Sequence, residues 1–120
     1  MVIDPQTAAW LRDEQAPMPD RAVLSRLVKE SARTLEKIAP GKSVEVRIPP
    51  FVAVQCVEGL THRRGTPPNI VELPPRQWLR LAAGLIHLDE LENTPKVTIS
   101  GTRAKEIARW MPLLHLPAEG

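Results

Sequence analysis

Tyrosine is missing from the chain altogether, and phenylalanine and cysteine occur once each. A lone cysteine, Cys56, rules out an internal disulfide. That usage suits a reducing compartment, so a cytoplasmic location is expected. One Phe and three Trp leave few rings for bases to stack on, and the net charge is only +2, with acids and bases interspersed. Neither feature points to nucleic acid. No stretch approaches the roughly eighteen apolar residues of a membrane-spanning helix, so stable membrane insertion is not expected. The opening stretch, MVIDPQTAAWLRDE, holds Asp4, Asp13 and Glu14 and has no apolar centre, so it does not read as a secretory signal. Metal-binding patterns are lacking too. There is no CxxC or HxxxH pair, His62, His87 and His115 are far apart, and the HxxE of His87 and Glu90 stands alone. No metal and no cofactor are expected.

What is present is punctuation and periodicity. The 120 residues suit one domain, and thirteen prolines break it into short elements. Asp4-Pro5 opens a short helix to about Asp13, part of an N-terminal extension over residues 1–16. A longer helix begins at Pro19-Asp20, with Leu24, Leu27, Val28, Ser31, Leu35 and Ile38 on one face, and Pro40-Gly41 ends it. In SVEVRI the period changes to two, with Val44, Val46 and Ile48 on one face. FVAVQCVEG reads as a strand with apolar residues on both faces, covered on two sides. After the loop LTHRRGTPP, NIVEL is a third strand. A helix starting at Pro74-Pro75 carries Trp78, Leu81 and Ala82, with Gly84 at its end. A connector over 86–95, a strand over 96–100 and a helix from about Thr102 to Met111 complete the order. Short links between strands favour antiparallel pairing. The expected fold is α+β: a mostly antiparallel curved sheet of four to five strands, with helices packed on one face.

Two strings, TPPNIVELPPRQWLRLAAG and KVTISGTRAKEIARWMPLL, carry a resemblance. With the strands before them, the chain resembles the sterol carrier protein 2 family over roughly residues 20–115. PPFVAVQC, RGTPPN and SGTRA look like a small group of stand-alone actinobacterial members. Pro74 stands where the family usually offers a capping Asp or Ser, and Pro112 is expected to shorten the last helix. The resemblance implies a single domain over 1–120 that binds an apolar ligand without catalysis. The implied ligand is an acyl chain, a sterol-like molecule or an acyl-CoA-like molecule, held between sheet and helices. Leu24, Val54, Trp78, Leu81, Ala104, Ile107, Ala108 and Met111 would line the cavity, and Arg63 or Arg64 would meet a polar head. The alternative is a ligand-free interaction module with a protein partner or as a homodimer. Similar domains occur at the C-termini of mycothiol-dependent isomerases and of some acetyltransferases.

Each feature also has a plainer reading. In VTISGTRAKEIARW, Gly101 would open an anion site with Thr102 and Arg103, or simply allow a sharp bend. A single glycine is no phosphate cradle, so the bend is preferred. His62, Arg63 and Arg64 suit a carboxylate or phosphate, or form a solvated turn. Cys56 and His62 lack the third member that a nucleophilic site needs, so no catalytic residue is assigned. Trp78, Trp110 and Met111 are expected to face the sheet, as core or as cavity wall. Arg26, Lys29, Arg33 and Lys37 form a basic helix side, read as solvated because Glu30 and Glu36 dilute it.

Overall fold

A computed structural model describes residues 1–59 and 68–118. Helix α1 (Pro5–Arg12) precedes the long helix α2 (Arg21–Ile38). Strands β1 (Val44–Ile48), β2 (Val52–Cys56) and β3 (Asn69–Glu72) follow, then helix α3 (Pro75–Ala82). A one-turn 3-10 helix (Leu88–Leu91), strand β4 (Thr98–Ser100) and a final 3-10 helix (Ala104–Trp110) close the chain. The sheet has four strands in the order β2-β1-β3-β4. β1 pairs antiparallel with β2, and β3 with β4. The central pair, β1 and β3, is parallel, with Val46 opposite Val71. The sheet is therefore mostly antiparallel, as expected, but mixed, with a parallel pair at its centre. Cys56 at the end of β2 and Asn69 at the start of β3 both lie opposite Val44, on its two sides, so β3 begins at the end of β1 where β2 finishes and runs parallel to β1.

One face of the sheet makes the core. Val44, Val46, Ile48, Val54, Cys56 and Val71 are buried there. α2 lies over β2, and the final 3-10 helix lies against β3 and β4. The opposite face carries Ala53, Gln55, Thr98 and Ser100 in solvent, and Glu45 there pairs with Arg47 two residues on. β2 is thus covered on one side, not two: Ala53 is small enough to leave exposed at little cost. α2 buries Leu24, Leu27, Val28, Ser31, Ala32 and Leu35, and its apolar row ends there because Ile38 is exposed.

The expected terminal α-helix is a 3-10 helix that starts later, at Ala104. Both of its ends are held from outside the helical ladder. The Arg103 N–H donates to Oδ1 of Asn69 at 2.9 Å, and Pro112 has no N–H to offer the last turn.

The N-terminal segment is built into this frame. The Asp4 carboxylate accepts from the Thr7 N–H (3.0 Å) and the Thr7 hydroxyl (2.7 Å), as its capping position predicts. At the other end of α1, the Arg76 guanidinium donates to the carbonyls of Trp10 and Leu11, and Arg80 donates to that of Leu11. These orphan carbonyls would otherwise need water. Ile3 N–H also donates to the His115 carbonyl, and His115 N–H to that of Met1, so the two ends of the chain are tied together.

Candidate functional site: an apolar groove beside the third helix

The residues expected to line a cavity separate into two groups. Leu24, Val54, Trp78, Ala104 and Ile107 are buried in the core. Trp78 is fixed there by a polar contact: its indole Nε1–H donates to Oγ of Ser31 at 2.8 Å, and that hydroxyl donates to the Leu27 and Val28 carbonyls. The other three, Leu81, Ala108 and Met111, line an open groove of about 420 Å³, and of these Leu81 is itself buried.

Three segments form this groove. The end of α3 supplies Leu81, Ala83 and Gly84. Gly84 takes φ +78° and turns the chain away, a conformation that suits glycine. The connector that follows supplies Ile86, His87 and Leu88. Its sequence shows no period, so these positions were not among the expected lining. The end of the final helix supplies Ala108, Met111 and Pro112. Backbone bonds hold that wall, because the N–H groups of Leu113 (2.7 Å) and Leu114 (3.0 Å) both donate to the Ala82 carbonyl.

Two other pockets have charged side chains in their walls. One of about 590 Å³ runs along β4, bounded by Glu92, Asn93, Thr98, Thr102 and Lys105. It includes the Gly101 corner, and the arrangement there favours the bend over an anion site. Lys105 already pairs with Asp89 (3.0 Å) and with Glu92, Arg103 pairs with Glu106, and the Arg103 N–H is spent on Asn69. A proline-walled pocket of about 480 Å³, formed by Pro49, Pro50, Pro74 and Pro75, also takes in Glu72 and Lys96.

The remaining candidates are placed as follows. Cys56 is fully buried, and burial, with Glu36 nearby, pushes its thiol up to about 11. Such a thiol is a poor nucleophile at neutral pH. Its suggested partner His62 lies outside the described residues, as do Arg63 and Arg64. Arg26, Lys29, Arg33 and Lys37 are all exposed, as a solvated face requires. Trp110 is half-buried, with the Arg109 guanidinium 5.6 Å from its ring centre. Among the described residues no group of three or more His, Cys, Asp or Glu side chains converges as metal ligands do, and no helix is long and apolar enough to cross a membrane.

The profile of a family described as bacterial SCP ortholog matches residues 20–113. The chain belongs to this sterol carrier protein-like family. The match takes in the whole sheet, α2, α3 and every residue lining the apolar groove, and leaves α1 outside it. No curated protein matches the chain.

Proposed function

We propose that the protein is a non-catalytic carrier that takes an apolar molecule into the groove between the end of α3 and the end of the final helix. Family membership suggests a lipid-binding role. The observation that carries the placement is the meeting of Leu81, Ala108 and Met111 in one groove with Ile86, Leu88 and Pro112. The volume, about 420 Å³, lies within the range of small-molecule sites. Burying about ten methylenes contributes up to about 8 kcal/mol before association costs, so micromolar affinity also requires contacts to a polar head or a preformed groove.

Native mass spectrometry and displacement of a fluorescent fatty acid test this reading. Ala108 is exposed at the groove wall, so Ala108→Phe fills the space without touching the core. It is expected to weaken uptake at least about tenfold, the cost of losing a little under two buried methylenes, while the unfolding midpoint holds. If wild-type protein takes up no acyl chain, sterol or acyl-coenzyme A at high micromolar concentration, the carrier reading falls.

A second reading has its own support. Trp78, Ala104 and Ile107 fill the core solidly, as in a module that only docks on a partner, like the accessory C-terminal domains of mycothiol-dependent isomerases. Sedimentation of the ligand-free protein at increasing concentration separates the two: a stable assembly with no uptake favours the module.

A further inference from the structure

The groove holds one side chain that can both donate and accept a hydrogen bond. Of its nine lining residues, eight offer hydrocarbon, a thioether or glycine backbone, and the ninth is His87. No Lys, Arg, Asp or Glu lines it. His87 sits at the start of the one-turn 3-10 helix, where its carbonyl accepts the Glu90 N–H at 3.0 Å. Its imidazole is exposed and bonds to no other described residue.

We infer that His87 reads the polar end of the ligand, and that the ligand is a long apolar molecule ending in one uncharged hydroxyl. The inference rests on the carrier reading of the same groove. A neutral imidazole has one donor and one acceptor, which matches a hydroxyl on both counts. A phosphate or carboxylate placed beside His87 would find no Lys or Arg in the groove wall to pair with. The charges just beyond His87 have the wrong sign for an anion. Asp89 and Glu90 follow it on the same turn, and Lys105, which reaches that turn, is already bound to Asp89 and Glu92.

The test compares three heads on one chain. 1-Dodecanol, dodecanoate and dodecyl phosphate compete with the neutral dye Nile red at pH 8. Dodecanol is expected to displace the dye at a concentration at least about tenfold lower than either anion, as one good hydrogen bond against an unpaired charge implies. His87→Phe should bring the three within about threefold of each other by removing that bond. His87→Gln, which keeps a donor and an acceptor, should restore most of the preference. Circular dichroism confirms that both variants are folded. Equal or tighter binding of the anions by wild-type protein overturns the inference, as does a preference that survives His87→Phe. If all three chains bind alike and Ala108→Phe still abolishes binding, the carrier reading stands and only the head-group inference fails. If none of the three binds, the head-group inference falls, and the carrier reading falls with it if sterols and acyl-coenzyme A also fail to bind.

Discussion

Asn69 occupies the space that a side chain on Gly101 would need. A Cβ built on Gly101 would overlap the Asn69 carboxamide oxygen and the Pro68 carbonyl and lie 2.8 Å from the Asn69 Cα. The same carboxamide accepts the Arg103 N–H at 2.9 Å and donates from Nδ2 to the Ser43 carbonyl at 2.8 Å. One buried amide thus joins the start of β1, the start of β3 and the corner after β4.

Gly101→Val should therefore cost about 3 kcal/mol or more. Backbone strain at φ +102° accounts for roughly 1–3 kcal/mol, and overlap with backbone atoms adds to it. Urea denaturation measures this. A valine variant with the wild-type midpoint would show that the corner needs no glycine.

Ser31→Ala should leave the Trp78 Nε1–H buried without a partner. Both residues are fully buried, so the expected loss is about 1–3 kcal/mol. In a double-mutant cycle with Trp78→Phe, the two losses should sum to more than the loss of the pair. Strict additivity would mean that the bond contributes nothing specific.

Cys56 should resist thiol reagents in the native protein. With the thiol pushed up to about 11, only about one part in a thousand is thiolate at pH 8, even before access is considered. Labelling should track unfolding and speed up as urea is added. Fast labelling in buffer alone would contradict the burial.

Asp4 makes the N-terminal cap sensitive to acid. Burial works against its charged form, but the bonds from the Thr7 hydroxyl and N–H outweigh it and hold the carboxyl below its ordinary value. Its contribution is then complete above the unfolded carboxylate pKa, near about 4, and is lost as pH falls through the lower folded value. Asp4→Ala should cost about 1 kcal/mol at pH 7. The gap between the variant and wild type should narrow below about pH 4. A gap that is constant down to pH 2 would place the effect elsewhere.

Periodicity along the chain determined most of the elements. Leu24, Leu27, Val28 and Leu35 mark the buried face of α2, and Val44, Val46 and Ile48 that of β1, because helix and strand repeats are local properties. Gly84 and the Asp4 cap were legible for the same reason: a cap or a left-handed turn is decided within a few residues. Tertiary structure decided the rest. Nothing local distinguishes a parallel from an antiparallel neighbour for β1 once a long link follows β2. The Arg103 N–H, just ahead of the final 3-10 helix, is taken by Asn69, more than thirty positions earlier. Arg76 and Arg80 read as ordinary basic residues until α1 placed its free carbonyls against them. Ala82 accepts from Leu113 and Leu114, and the chain just before them supplies Met111 and Pro112 to the same groove as Leu81 and His87. A cavity wall is assembled from segments far apart in sequence, and a pattern that repeats every few residues carries no information about which distant segment will face it.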